Sequence, residues 1–314
     1  MEDSSPSLPS IERVLDNTAL AAFKRCRRLY YFAYWLHRRE SVSSGALAYG
    51  SVIHKLLETH YKTGSPMLAE LAARAWWEKN GPSEQSPDEY RTLDRALLDY
   101  RRYRDRWGQH PTDEQGRTLG WPDEPLVELS LESVAGGLIH PYAGKIDRII
   151  ELGGLYYIED HKTTSRLDGN FYRALELSPQ FQGYTHKAQF LLPSIRIVGV
   201  RVNVIHCLKT STNFERQIIP FNREQLDEWE QDTNRWMEDL AEESARWQEL
   251  YGSNPDRLPV EGQPWPRATL GDNGCSGKYG MCSYYPICSI TPKFRAGRVR
   301  ELPVLPWNPL EADD

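Results

Sequence analysis

The sequence predicts an α/β fold in which helices flank a mixed central β-sheet. Residues 144–164 alternate apolar and polar side chains around a Gly-Gly pair, which indicates a β-hairpin. Residues 195–208 alternate in the same way and predict a central strand. Elsewhere, apolar residues recur at spacings of three and four, which is typical of amphipathic helices. These three observations together indicate the α/β class.

The other elements follow the chain in order. Helices are predicted over 14–36, 48–62, 67–79, 87–107, a stretch that begins at Pro179, and 222–250. Strands are predicted over 126–133, the two arms of the hairpin, 195–208 and 214–221. Residues 163–179 are expected to form a loop. In the first strand, the pattern does not decide whether Glu128 and Glu132 face the hairpin or solvent.

The hairpin is the organising element of the chain, with the sequence GKIDRIIELGGLYYIEDHKTT. Gly153 and Gly154 supply the positive φ angles that a two-residue turn requires. The two arms then pair as antiparallel strands in which Leu152 faces Leu155. This register fixes which polar side chains meet farther along the hairpin.

Two carboxylates and a lysine converge in that register. Asp147 lies across from Asp160, and directly opposed residues have Cβ atoms roughly 4.5–5.5 Å apart. Lys162 lies on the same face as Asp160, because side chains alternate along a strand. The alternative is a solvated face that carries two acids and a base. The apolar neighbours favour a divalent-metal site, because burying opposed acids without a cation is costly.

Further polar residues extend this pattern on both sides of the hairpin. In chain order the segments are Gly50 with His54, Asp147, Asp160-His161-Lys162, and Gln180 with Tyr184. This ordered set resembles the PD-(D/E)XK nucleases, in particular their RecB-like branch. The matching motifs are G-x-x-x-H, the first acid, D-x-K and Q-x-x-x-Y, spread from Gly50 to Tyr184.

The resemblance implies a restriction-endonuclease-like fold and a role for each matched residue. Asp147 and Asp160 are expected to bind Mg²⁺ or Mn²⁺, with His54 and the backbone carbonyl of His161 as further ligands. Lys162 is expected to position the attacking water.

In the family, Gln180 and Tyr184 contact the DNA backbone or orient the site. On local evidence, a polar helix start and a core tyrosine explain this pair nearly as well.

Four of the five cysteines predict a second metal site. Cys275, Cys282 and Cys288 lie in a Gly-, Pro- and aromatic-rich segment, where clustered cysteines of a cytosolic chain favour metal binding over disulfides. Cys26 is the candidate fourth ligand. Cys207, in an apolar strand, is expected to be a buried packing residue.

The split of one N-terminal and three C-terminal cysteines resembles the iron–sulfur nucleases of the RecB-like group. It implies a [4Fe–4S] cluster held by Cys26, Cys275, Cys282 and Cys288. The six residues between Cys275 and Cys282 exceed the family's spacing. A structural Zn²⁺ on four cysteines therefore stays open as an alternative.

Composition permits a DNA partner without requiring one. The net charge is −6, but basic clusters at 24–28, 37–39, 101–106 and 293–300 could line a groove. No apolar run approaches the roughly 20 residues that span a bilayer. The polar, acidic start lacks the features of a signal peptide, so we expect a cytoplasmic protein with no membrane partner. No P-loop motif occurs, so unwinding would come from a partner.

The expected organisation has three parts. Residues 1–12 form a flexible N-terminus, 13–290 a single nuclease domain, and 291–314 a C-terminal tail. Within the domain, we expect a core over 45–220, a helical segment over 222–250, and a cysteine segment over 270–290 that closes onto Cys26.

The favoured function is a metal-dependent DNA exonuclease that hydrolyses phosphodiesters with water activated by Mg²⁺. It would act in recombination, repair or phage DNA processing, on a single strand or duplex end, with a helicase or recombination protein as a further partner. One alternative is a non-cleaving DNA-binding or assembly factor of the same fold. Another is an adaptor in which the cysteines sense oxidant or hold zinc.

Overall fold

A computed structural model describes residues 14–39, 45–82, 90–108, 115–131, 136–251, 274–277 and 280–309. The predicted flexible residues 1–12 lie outside these ranges. Contacts divide the chain into two compact units. The first unit contains 1–41, 137–143 and 230–312, and the second contains 42–136, 144–229 and the last two residues. The single domain expected over 13–290 stays a prediction.

Ten α-helices and a short π-helix at Tyr31–Trp35 form in the described part of the chain. The α-helices are α1 (Asn17–Arg25), α2 (Arg27–Tyr30), α3 (Gly45–Thr63), α4 (Pro66–Asn80), α5 (Leu93–Trp107), α6 (Gly169–Glu176), α7 (Pro179–Leu191), α8 (Arg223–Tyr251), α9 (Tyr285–Ser289) and α10 (Pro292–Glu301). None of these helices is both long and apolar enough to cross a membrane.

Nine strands form in the same described residues. They are β1 (Leu15–Asp16), β2 (Arg117–Thr118), β3 (Val127–Leu131), β4 (Tyr142–Leu152), β5 (Leu155–Thr164), β6 (Ile197–Cys207), β7 (Thr212–Pro220), β8 (Ser276–Gly277) and β9 (Gly280–Met281). The main sheet runs β4-β5-β6-β7, with β2 and β3 antiparallel to β4. Strands β5 and β6 are parallel, whereas β4–β5 and β6–β7 are antiparallel. The predicted mixed sheet is therefore confirmed.

Helices cover both faces of the sheet in the second unit. Helices α3, α4 and α5 bury Val52, Leu56, Leu97 and Tyr100 in a cluster that includes Ile205 of β6. A second cluster packs α7 against the sheet. Its buried side chains include Phe181, Ala188, Val200, Val202 and Val204. The alternation of β6 explains this division, because odd and even positions point to opposite faces.

The hairpin forms in the predicted register over its outer half. Glu151 pairs with Tyr156 and Leu152 with Leu155, as expected. Gly153 and Gly154 have φ angles of 59° and 77°, which confirms why this turn requires two glycines.

Two predictions of local structure are wrong. The helix expected over 14–36 is interrupted at Cys26, whose extended backbone (φ −164°, ψ 114°) separates α1 from α2. The loop expected over 163–179 contains α6, which Asp168 caps by accepting the backbone N–H groups of Asn170 and Phe171. The cap satisfies two of the N–H groups that a helix start leaves without partners.

Two other boundaries differ from the expectation. Helix α5 begins at Leu93 rather than near residue 87, because the Thr92 side chain accepts the Arg95 N–H and caps it there. Helix α10 lies inside the segment that we predicted to be a C-terminal tail.

A buried ion network crosses three adjacent strands of the sheet. Arg148, Glu159 and Arg201 are register neighbours on β4, β5 and β6, and all three are 3% exposed or less. Glu159 accepts from Arg148 Nε at 2.6 Å and from Arg201 Nε at 2.5 Å. Burial acts to raise the pKa of Glu159, but the charges of Arg148 and Arg201 hold it well below its usual range. The carboxylate therefore stays ionised inside the sheet.

Replacing this carboxylate tests the network. We expect Glu159→Gln to lower the free energy of unfolding by about 3–5 kcal/mol, because two buried guanidinium groups lose their counter-charge. Denaturant titration measures the change. Glu151→Gln is the control, since its pair with Arg117 is partly exposed and contributes less than about 1 kcal/mol. Equal losses in the two variants would contradict the prediction.

Candidate functional site

The candidate site lies in the second unit, where β4 and β5 separate. The ladder between these strands ends at Arg148 and Glu159, one step before the expected pair of Asp147 with Asp160. The two acids are therefore not a ladder pair, which corrects the sequence prediction. Instead, Asp147 Oδ2 accepts the backbone N–H of His161 at 2.5 Å. The side chain takes the bond that the ladder no longer provides.

Helix α3 brings His54 against this separation. Its Nδ1 lies 3.2 Å from Asp147 Oδ1, and its Nε2 lies 3.0 Å from the carbonyl oxygen of His161. Gly50 makes the approach possible, because a Cβ there would lie only 3.1 Å from Thr163 Oγ1 of β5. One turn of helix then separates the close contact from the histidine. Three of the predicted ligands, Asp147, His54 and the His161 carbonyl, are thus adjacent.

Glu128 is a further acid of the site that the sequence did not assign. It lies on β3 between Val127 and Leu129, which pair with Arg148 and Ile146, so the register places it beside Asp147. Its φ angle of +56° is uncommon for a residue with a side chain. The ligand atoms of Glu128, His54 and Asp147 all lie within 4.8 Å of one another.

Asp160 and Lys162 lie on the opposite side of β5 from the His161 ring. Lys162 Nζ lies 2.8 Å from Asp160 Oδ2, as their shared face predicts. The same Nζ donates to Gln180 Oε1 at 3.2 Å, and Gln180 Nε2 donates to Tyr184 Oη at 2.9 Å. Tyr184 packs closely over Gly144 of β4, where a Cβ would lie 2.6 Å from its ring. The D-x-K and Q-x-x-x-Y residues therefore form one connected chain.

The electrostatics of the site reflect crowded acids. Burial raises the pKa of Asp160 to about 6, and the negative charge of Asp147 adds to the rise against the opposing Lys162. Burial also acts to raise the pKa of Asp147, but the charge and hydrogen bond of His54 hold it well below its usual range. Burial acts to lower the pKa of His54, and Asp147 overcomes it and raises the value to about 9.

A divalent cation fits this set of side chains. Asp160 Oδ2 is buried and receives no hydrogen bond of good geometry in the described structure, although it lies beside Lys162. The side chains of Asp147 and Glu128 are only 12% and 10% exposed. Buried carboxylates in this number require positive charge, and carboxylate oxygens are what Mg²⁺ and Mn²⁺ prefer. His54 Nδ1 occupies the place of a cation next to Asp147.

The four cysteines lie in the first unit, away from these residues in sequence. The backbone N–H of Cys282 donates to the carbonyl of Cys275, and Arg25 Nε donates to the carbonyl of Gly274. Burial raises the pKa of the Cys282 and Cys288 thiols, and Cys26 raises both further. No disulfide joins any of these cysteines.

Among the described residues, His54, Glu128 and Asp147 are the only set of three ligand atoms within 4.8 Å of one another, so the cysteines do not form such a set. Cys207 is buried, as expected.

The sequence missed Glu128 because it could not show which strand pairs with β4. Glu132, the other acid that was left open, lies outside the described residues. What places Glu128 at the site is the register of β3 against β4: Val127 pairs with Arg148 and Leu129 with Ile146, so Glu128 lies beside Asp147. That register cannot be read from the sequence. The roles of Asp147, Asp160, Lys162, Gln180 and Tyr184 remain predictions.

Comparison with protein families gives a match over most of the chain. A model described as the PD-(D/E)XK nuclease superfamily matches residues 17–289. This range includes both the candidate site and the four cysteines. The comparison with curated proteins found no match.

The pKa of Asp160 predicts a trade-off between stability and metal binding. A carboxyl whose pKa rises from 3.8 to about 6 on folding destabilises the native state increasingly as pH rises through that window. We therefore expect Asp160→Asn to stabilise the metal-free protein by about 1–3 kcal/mol at pH 8, with the gain falling as pH drops below about 6 and vanishing below about pH 4.

Thermal unfolding in EDTA at several pH values measures this effect. Asp227→Asn is the control, because its carboxylate is exposed and pairs with the exposed Arg223. A destabilised Asp160→Asn protein at pH 8 would show that the buried charge is already compensated.

Proposed function

Since the chain belongs to the PD-(D/E)XK nuclease superfamily, we propose that it is a metal-dependent DNA nuclease, and that it acts as an exonuclease. The observation that carries the proposal is the convergence of Asp147, Asp160 and Lys162 on two rigid strands, with His54 against them. A fold-only role would not require three buried acids to be gathered at one place, where each one needs a basic partner: His54 beside Asp147, Lys145 beside Glu128 and Lys162 beside Asp160.

The cation would be held by Asp147, Glu128, His54 and the carbonyl of His161. Asp160 would be a further carboxylate beside it. A bound Mg²⁺ or Mn²⁺ polarises the phosphodiester and lowers the pKa of a coordinated water. The chain keeps these groups on β3, β4, β5 and α3, so few side chains have to move on binding. His54 would bind the cation through a neutral ring, so it would release the proton that it carries beside Asp147 in the metal-free protein.

Lys162 is the residue that we propose to position the attacking water. Its ammonium group donates to Gln180 Oε1 at 3.2 Å and forms an ion pair with Asp160 Oδ2 at 2.8 Å, so both neighbours restrict where the group lies. The side chain is still 30% exposed, so its remaining donor can reach a water or a phosphate oxygen. A fixed donor stabilises negative charge as it develops on the phosphate.

Gln180 supports Lys162 in this proposal. Lysine is a donor only, so Gln180 must turn Oε1 toward Lys162 and Nε2 toward Tyr184. This orientation favours a site-orienting role over direct contact of Gln180 with the DNA backbone. Tyr184 ends the hydrogen-bonded series that runs from Lys162 through Gln180, and it is the better candidate for a phosphate contact.

DNA is the proposed substrate, with recombination, repair or phage DNA processing as the process and a helicase or recombination protein as partner. We propose a cytoplasmic location and membership of the RecB-like branch, which the ordered motifs from Gly50 to Tyr184 support. The acidic net charge of −6 does not oppose DNA binding, because charge is distributed unevenly over a surface.

Cleavage of end-labelled single- and double-stranded DNA tests the function. We expect degradation with Mg²⁺ or Mn²⁺ that EDTA abolishes, and a loss of about 100-fold or more in Lys162→Ala. Lys209→Ala, an exposed lysine on the turn between β6 and β7, is the control and should keep full activity.

The lengths of the labelled DNA fragments, compared for the two labelled ends, distinguish exonuclease from endonuclease action. Undiminished cutting by Lys162→Ala would contradict the assigned role. Absence of cutting by a folded, metal-loaded protein would instead favour the non-cleaving DNA-binding factor.

We further propose that Cys26, Cys275, Cys282 and Cys288 hold a [4Fe–4S] cluster, with structural Zn²⁺ as the alternative. Support comes from the interruption of the helix at Cys26, from the Cys282 to Cys275 backbone hydrogen bond, and from the electrostatic effect of Cys26 on Cys282 and Cys288, which adds to the burial that raises the pKa of both thiols. A bound cluster would join α1 to the cysteine segment and stabilise the first unit.

Metal analysis of protein purified without oxygen tests this site. We expect absorbance in the visible blue and about four iron atoms per chain, both lost in Cys282→Ser. Cys207→Ser, in β6, should keep both signals. About one zinc atom and no iron would establish the alternative, and neither metal would contradict both forms of the proposal.

A further inference from the structure

A second row of polar residues crosses the sheet next to the Glu159 network. His161, Asn203 and Arg216 are register neighbours on β5, β6 and β7. Asn203 is completely buried and His161 is 3% exposed. The row begins at the D-x-K motif and leads away from the acids, so none of the family motifs accounts for Asn203.

The hydrogen bonds of this row determine its orientation. Arg216 is a donor only, so Asn203 must turn Oδ1 toward Arg216 Nε, which lies at 3.3 Å. The amide Nδ2 then faces the other way and donates to Tyr103 Oη at 3.0 Å and to His161 Nδ1 at 2.9 Å. His161 Nδ1 therefore acts as an acceptor, and the ring has one fixed orientation.

Aromatic packing holds the same ring from a second direction. Tyr61 of α3 stacks on His161 with an interplanar angle of 20°. The Arg148 guanidinium lies over the Tyr61 ring, 3.5 Å from its centroid. Tyr61 Oη in turn lies 2.6 Å from Tyr103 Oη, which ties the packing to the hydrogen-bonded row.

The backbone of His161 is where this support reaches the site. Its N–H donates to Asp147 Oδ2, and its carbonyl oxygen faces His54 Nε2. The β4–β5 ladder has ended at Glu159, so pairing with β4 no longer fixes this peptide. The side chain of His161, anchored by Asn203, supplies a constraint that the ladder has lost.

We infer that Asn203 is a positioning residue for the metal site, which acts through His161 to hold the peptide groups that orient Asp147 and His54. The inference rests on the proposed function, since it concerns the same cation site. Residues behind metal ligands typically change metal affinity by 10–100-fold when they are removed. Asn203 touches no ligand side chain directly and exerts its effect through one ring.

A double-mutant cycle with Mn²⁺ titration of the full chain tests the inference without any cleavage readout. We expect Asn203→Leu to weaken Mn²⁺ binding about tenfold. In a His161→Phe background, which keeps a ring for Tyr61 but has no Nδ1, the same substitution should have no further effect. Val200→Ala, at a buried position of the same strand, is the control and should leave Mn²⁺ affinity unchanged.

The outcomes separate the inference from the function on which it rests. If the parent protein binds no Mn²⁺, the proposed function fails. If the parent binds Mn²⁺ and Asn203→Leu binds it equally well, or if the loss is the same in both backgrounds, Asn203 has only a packing role and the inference fails. Asn203→Ala, which adds no bulk, carries the same cycle if Asn203→Leu does not fold.

Discussion

The structure depends on the point at which two antiparallel strands stop pairing. The β4–β5 ladder ends at Arg148 and Glu159, and a backbone N–H beyond it that faces the other strand of this pair needs another partner. Asp147 supplies that partner with its own side chain. The same carboxylate faces His54, so one side chain both bonds the backbone where the strands separate and contributes to the site.

The two faces of β5 divide the work of the molecule. On one face, Asp160 is buried beside Lys162, whose side chain is partly exposed. On the other, Glu159 accepts from Arg148 and Arg201, and His161 Nδ1 accepts from Asn203. Rigid support on one side allows the acids on the other to remain close despite their repulsion, because interiors pack densely and resist small shifts.

Much of the site could be predicted from the sequence, because its residues lie on regular elements. Alternation placed Lys162 with Asp160, and the resemblance of Gly50 and His54 to the G-x-x-x-H motif indicated the histidine. Glu128 and Asn203 could not be predicted, because their roles arise from pairing between strands that are distant in sequence. The break at Cys26 was missed for a related reason: nothing in the local residues contradicts a continuous helix.

The guanidinium groups behind the site have a consequence for how the protein responds to acid. Arginine stays charged over the whole pH range in which proteins remain folded. The charges of Arg148, Arg201 and Arg216 therefore do not change with pH. The acids of the site and His54 can gain or lose a proton. A spectroscopic signal that changes around neutral pH would therefore not originate from these arginines.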